Sequence, residues 1–304
     1  MPYRPNPRPT TRSARTPGRR GRRAGLCAVL LTGSVATLFS VGSVVPAAAA
    51  VTGASDRSAA GTEKATVTSE ARVTTAVLDL DHPTRGPQVR GKDVPYDTAS
   101  IIKVDILAAL LLQAQDAGRG LTQQERTLAE TMIEHSDNDA ATALWQRIGQ
   151  APGLEAVNKR LGLSSTVGGT GGKWGLTRTT VTDQISLLRA VFADGTTSSA
   201  TSSASESALS ATSRNYIRTL MTRIAAGQSW GVSAASDSGW ALKNGWLQRT
   251  TTGLWDINSV GWITSGTHHY LVAVLSDGNA SMAGGIAAVE RAAQVAVSSA
   301  QAAG

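Results

Sequence analysis

Three short motifs stand in order along this 304-residue chain: Ser100-Ile-Ile-Lys103, Ser136-Asp137-Asn138 and Lys243-Asn244-Gly245. A serine and a lysine three positions apart on a helix share one face, so the amine can reach the hydroxyl. At a helix's first turn, free backbone N–H groups and the helix dipole favour the negative charge that a reacting serine develops. The lysine acts as a base only when partly neutral, a state that burial beside other cations brings within reach. Alone, Ser-x-x-Lys is a weak signal, with roughly 0.6 chance matches expected in this composition, and its plain reading is a capped helix. Ser-Asp-Asn is rarer, at roughly 0.03 chance matches, although all three residue types also serve as N-caps at a helix–loop–helix junction.

Lys-x-Gly occurs twice, at Lys243-Asn244-Gly245 and at Lys173-Trp174-Gly175. The first lies in a strand-like run, Trp240-Ala-Leu-Lys-Asn-Gly-Trp246, and the second in the Gly-rich stretch 168–174. A strand lysine can face a helix N-terminus carrying Ser100, and glycine beside it lets a ligand approach the backbone, so Lys243 is favoured. No acidic residue occurs between Glu155 and Asp183, which limits what could activate water once a serine has been acylated.

The elements that must position these groups follow from periodicity and breakers. Residues 71–80 read as a strand, with 88–90 pairing back across the Asp81-His-Pro-Thr-Arg-Gly turn. Residues 100–117 read as a helix with apolar positions at Ile101, Val104, Leu107, Ala108 and Leu111. Thr122 and Glu125 form a capping-box signature for a helix ending near His135. Further helices are predicted over 139–148, 153–161, 182–192 and 214–226, with 168–174 a loop. The run 196–213 is nearly all Ser, Thr and Ala and reads as a mobile surface connection. Strands near 240–247, 254–263 and 269–276 precede a helix over 283–299. Strands at both ends around a helical middle predict an α+β fold, in which the terminal strands form one antiparallel sheet flanked by helices, with an all-α subdomain.

Domain organisation follows from charge. The formal net charge of +7 suggests nucleic acid, but eight arginines lie in the first 23 residues and residues 1–50 contain no acid. Without those arginines the basic and acidic side chains nearly balance, so no nucleic-acid partner is expected. Residues 1–50 read as an export signal: an Arg/Pro-rich start, an apolar stretch from Ala24 to Val45, then Pro46 and four alanines. An uncleaved membrane anchor is the competing reading of that stretch. Arg22-Arg23 is a poor twin-arginine match. Residues 51–70 read as a linker or weak first helix, and 71–304 as one catalytic domain, with 101–235 mostly helical. The only cysteine, Cys27, lies in the leader, so the mature chain carries no thiol chemistry. The expected product is a secreted monomer without stable membrane insertion. His268-His269 on a strand point to opposite faces, which is wrong for two ligands of one metal, so neither a metal nor a cofactor is expected.

On these residues the chain resembles the penicillin-recognising serine enzymes, in particular the class A β-lactamase-like branch. The motifs match S-x-x-K, S-D-N and K-[ST]-G in the family's order, and the likeness extends over nearly all of 71–300. The resemblance implies that Ser100 is the acylated nucleophile and Lys103 its base. It makes Ser136 the proton relay to the leaving nitrogen and Lys243 the positive charge near Ser136 and the substrate carboxylate. Asn138 would orient the substrate amide, and Asn244, Gly245 and Trp246 would line the substrate site. The backbone N–H groups of Ser100 and Trp246 would form the oxyanion hole. Arg249 is a weak candidate for a carboxylate anchor, with a solvated loop residue as the other reading. The implied activity is a serine hydrolase forming an acyl-enzyme with a β-lactam or D-Ala-D-Ala-like (peptidoglycan-stem-like) amide. The alternative is a catalytically impaired penicillin-binding or sensory module that keeps the fold. The sequence departs from class A in lacking a glutamate within 156–182, in carrying Asn244 where the family has a hydroxyl, and in a shorter 103–136 segment.

Overall fold

The computed structural model describes residues 71–193 and 207–303. The expected export signal over 1–50, the expected linker over 51–70 and most of the Ser/Thr-rich run lie outside the described residues. The main strands are β1 (Arg72–Asp79), β2 (Gln88–Arg90), β5 (Trp240–Gln248), β6 (Trp255–Ser265) and β7 (His268–Asn279), with two short ones, β3 (Tyr96–Asp97) and β4 (Arg178–Thr179). The framework is a five-stranded antiparallel sheet in spatial order β2-β1-β7-β6-β5, with an added two-stranded sheet, β3-β4. The predicted pairing of the terminal strands is therefore observed, through eight residue pairs from Arg72↔Asp277 to Asp79↔Tyr270.

Both faces of this sheet are covered, and strict alternation divides them. Leu271, Ala273 and Leu275 of β7, with Ala76 and Leu78 of β1, face a core shared with the helical part. Tyr270, Val272 and Val274 face the other way, against Val289, Ala293, Ala296, Val297 and Ala300 of the C-terminal helix (Met282–Ala302). Double coverage is why these strands read as near-continuous apolar runs. Among the described residues, no helix is long and apolar enough to cross a membrane.

The helical part is built on α1 (Ile102–Asp116). Ile102 through Leu112 are all buried, whereas the sequence pattern suggests a single apolar face; a helix apolar all round belongs at the centre of a core. Packed near it are α2 (Gln123–Glu134), α3 (Asn138–Arg147), α4 (Gln150–Leu161), α5 (Val181–Phe192) and α6 (Ala211–Met221). The capping box forms as expected, with Thr122 Oγ1 accepting from the Glu125 N–H and the Glu125 carboxylate accepting from the Thr122 N–H.

Two expectations need correction, and one pair of strands was not anticipated. Ser100 lies in a 3-10 turn (Ala99–Ile101) that leads into α1, so it precedes the first α-helical turn. The helix predicted over 214–226 runs Ala211–Met221, because Ser210 caps it by accepting from the Ser213 N–H; residues 211–213 are thus helix and no part of a mobile connection. The short strands β3 (Tyr96–Asp97) and β4 (Arg178–Thr179) carry too few residues to show a period of two.

Candidate active site

Strand alternation decides which side chains of β5 can do chemistry. Ala241 faces the helical core and Leu242 the opposite core, so Lys243 and Gly245 point towards the helices and Asn244 away. The Lys243 Nζ accordingly reaches Ser136 Oγ at 3.0 Å and also donates to its neighbour's carbonyl, Asn244 O, at 2.9 Å. Lys103, one position into α1, donates from Nζ to Ser136 O at 2.5 Å, to Asn138 Oδ1 at 2.9 Å and to Ser136 Oγ at 3.2 Å. One hydroxyl thus bridges two lysine side chains, both fully buried. Of the two Lys-x-Gly matches, Lys243 is the one at Ser136; Lys173 is exposed.

The electrostatics follow from this burial. Removal from water pushes Lys103 down to about 7, opposed only by the negative charge of Asp137. Burial, with the charge of Lys103 added, holds Lys243 well below the ordinary lysine value. Two ammonium groups sharing one hydroxyl in a dry site repel each other, so a neutral amine is available near neutral pH.

Backbone strain is concentrated here too. Of the three non-glycine residues with positive φ among the described residues, Ala99 (47°) immediately precedes Ser100 and Ser136 (56°) is the bridging residue itself. Each such conformation costs on the order of 1–3 kcal/mol and persists where surrounding contacts over-determine it. For Ser136 those contacts are the bonds from the two lysines and the N-cap at Asp137, whose side chain accepts from the Ala140 N–H. Asp137 braces its loop, as its N-cap chemistry suggests.

At Gly245 the sheet comes close against the turn that carries Ser100. A Cβ built on it would lie 2.8 Å from the Ser100 N and 2.7 Å from the Thr98 O. Only glycine leaves that space, as the need for ligand access to the backbone suggests. Strand β5 is also an edge strand, so beside Ser100 it carries backbone groups that no sixth strand covers.

The structure does not bring Asn244 to the cleft, which corrects the expectation that it lines the substrate site. Its amide is buried on the other face and donates to Gln228 O (2.7 Å) and Trp230 O (2.8 Å). In this chain the position between the lysine and the glycine holds the segment before β5. Arg249 is likewise engaged, pairing with Asp97 and lying 3.8 Å from Asp256. Asn138 is exposed with Oδ1 on Lys103, and Trp246 is half-buried with its ring 6.0 Å from Lys243 Nζ.

Two further residues position the site: Asn258, which no motif marks, and Trp174, the middle residue of the second Lys-x-Gly match. Asn258 lies directly opposite Gly245 in the β5–β6 ladder and is fully buried. Its amide donates to Asp97 O (2.9 Å) and Thr98 O (3.1 Å), tying the segment before Ser100 to the sheet. Trp174 places its ring 4.9 Å from the Lys103 ammonium, while its indole N–H donates to Thr142 Oγ1 at 3.1 Å. A second indole, Trp145, donates to Gly171 O (2.8 Å), so the acid-free loop is anchored at two points. Asp183 begins α5, buried, and accepts from the Ser165 N–H and the Thr166 hydroxyl.

Comparison with known proteins defines the class to which this fold and site belong. A model described as the β-lactamase enzyme family matches residues 120–300, well over half of the chain. The protein belongs to that family. The matched residues include Ser136, Asn138, Lys243 and Gly245, while Ser100 and Lys103 lie just before them. Among solved structures, the chain is similar to PBP-A in an acyl-enzyme complex with penicillin G (20% identity, TM-score 0.60, covering 76% of this chain and 90% of that one). It is also similar to the TLA-1 extended-spectrum β-lactamase (15%, TM-score 0.62, 75% and 93%). A β-lactamase from Chitinophaga pinensis gives 17%, TM-score 0.61, 76% and 96%. These likenesses establish a fold common to β-lactamases and penicillin-binding proteins and do not single out class A. No curated protein sequence matches the chain.

Proposed function

We propose that the protein is an exported serine hydrolase that forms an acyl-enzyme on Ser100 with a β-lactam or D-Ala-D-Ala-like amide and releases it slowly. The observation that carries this reading is the Lys103–Ser136–Lys243 bridge, with Ser136 Oγ 3.2 and 3.0 Å from two buried lysine nitrogens. Neutral Lys103 takes the proton of the Ser100 hydroxyl as its oxygen bonds to the substrate carbonyl carbon. The oxyanion so formed is held by the backbone N–H groups of Ser100 and Trp246, beside Gly245. Collapse breaks the C–N bond, and Ser136 hands its proton to the leaving nitrogen while Lys103 restores it. Lys243 keeps positive charge at Ser136 and at the substrate carboxylate, and Asn138 orients the substrate amide. The export reading rests on the Arg-rich, apolar and Ala-rich order of residues 1–50.

Slow release is favoured by two features of the loop after the second motif. It carries no carboxylate over 156–182, and it presents the Trp174 ring to Lys103. Deacylation then falls to Lys103, which must serve both steps. Complete loss of release would make the protein a penicillin-binding or sensory module. A fluorescent penicillin is the test: wild type is labelled covalently, Ser100→Ala is not, and Lys243→Ala is labelled more weakly. Equal labelling of wild type and Ser100→Ala would overturn the assignment.

A further inference from the structure

Three of the chain's four histidines, His82, His268 and His269, lie at one corner of the sheet, and no step of the proposed reaction uses them. Two of them meet the same carboxylate. His82 Nδ1 is 3.0 Å and His268 Nδ1 3.2 Å from the same oxygen, Asp79 Oδ2. One potential ligand atom from each residue lies within 4.8 Å of the others. The geometry points to a surface site for a divalent transition-metal ion, Zn²⁺ first among them, held by Asp79, His82 and His268 and clamping the β1–β2 turn to the β6–β7 hairpin.

The distances suit such an ion. Tetrahedral zinc with bonds of 2.0–2.1 Å sets its ligand atoms about 3.4 Å apart, close to the two separations measured from Asp79 Oδ2. Two imidazoles with one carboxylate form a borderline-soft donor set, suited to zinc, copper or nickel and poorly suited to the all-oxygen preferences of calcium and magnesium. The framework is rigid where it matters: Asp79 pairs with Tyr270 at the end of β1, and His268 opens β7. The second Asp79 oxygen accepts from the Asp81 N–H at 2.9 Å, which orients the carboxylate and leaves Oδ2 towards the histidines. The two imidazoles stack with centroids 5.4 Å apart, and His268 stacks in turn on Tyr270. Their side chains are 40% and 34% exposed against 11% for Asp79, giving an ion a path in and leaving room for water as a fourth ligand. His269 points to the other face and pairs with Asp81, so the opposite-face argument against a His268–His269 pair holds; the second imidazole comes from the turn instead.

The site is separate from the reaction. Asp79 lies on β1, three strands from β5, or roughly 14 Å across the sheet at ordinary strand spacing. Binding should therefore stabilise the protein without being needed for acylation. The test is Zn²⁺ titration by calorimetry of tag-free, EDTA-stripped protein, with melting curves alongside. One equivalent should bind wild type, raising Tm by about 5 °C at about a hundred-fold excess over Kd. His82→Ala, His268→Ala and Asp79→Asn should each weaken binding at least about tenfold, as loss of a metal ligand or its support does. His269→Ala should bind like wild type, and penicillin labelling should be unchanged with or without Zn²⁺. Absence of saturable binding to folded wild type, or undiminished binding in the His82→Ala, His268→Ala double variant, would overturn the proposal whether or not Ser100 is acylated.

Discussion

At the residue scale, the central quantity is the proton on Lys103. Burial brings this amine down to about 7, so the free base gains population as pH rises through neutrality. If Lys103 is the base, the acylation rate should rise roughly tenfold from about pH 6 to about pH 8 and then level off. Stopped-flow measurement with a chromogenic β-lactam checks this, and a rate independent of pH over that span would remove Lys103 from the role. The same depression has a stability consequence of fixed sign. Between about 7 and the ordinary lysine value of 10.5, the unfolded chain holds a proton that the folded one has released. Lys103 therefore makes stability rise with pH across that window, and its full burial cost is present below it. The spacing of Ser100 and Lys103 and the unusual Ser136-Asp137-Asn138 triplet made these residues legible in the sequence. The commitment of Asn244 to Gln228 and Trp230 was not, because its partners are backbone carbonyls with no side-chain signature.

At the scale of elements, the site depends on how closely β5 approaches the turn that carries Ser100. Gly245 and Asn258 face each other in the ladder and act on the same carbonyl: a Cβ on Gly245 would lie 2.7 Å from Thr98 O, the atom that Asn258 holds at 3.1 Å. Gly245→Val should push the turn off the strand, misplace the oxyanion donors and slow acylation by about a hundredfold or more. Asn258→Ala takes the side-chain donor from Asp97 O, while Thr98 O keeps the Ile101 N–H; the change should cost about 1–3 kcal/mol of stability, together with slower acylation. Denaturant melts and labelling rates check both, and wild-type acylation by Gly245→Val would contradict this account of the strand. The elements themselves were readable: the capping box at Thr122 and Glu125, the β-branched content of β1 and the apolar spacing of α1 all carry local signals. Contacts such as Asn258 to Thr98, which are 160 residues apart in the chain, depend on tertiary register that no local pattern encodes.

At the scale of the whole molecule, a doubly covered antiparallel sheet holds the candidate reacting groups at its β5 edge and the histidine cluster at another corner. The sandwich of helical core, sheet and C-terminal helix was foreseeable, because strands at both ends of the chain must pair around a helical middle. The histidine cluster was not, since His268 meets Asp79 from 189 residues away. The loop after the second motif was legible as acid-free and Gly-rich. Its anchoring by Trp145 and Trp174, and the ring set over Lys103, emerge only from packing. These features together favour acylation followed by slow release.

Intact-protein mass spectrometry after mixing with penicillin G, followed over time and mapped to the modified peptide, tests that claim most directly. The account predicts one covalent adduct per chain, located on Ser100, formed within minutes at neutral pH and decaying over hours. An adduct on any other residue, or no adduct and no penicillin turnover by the folded protein, would contradict it.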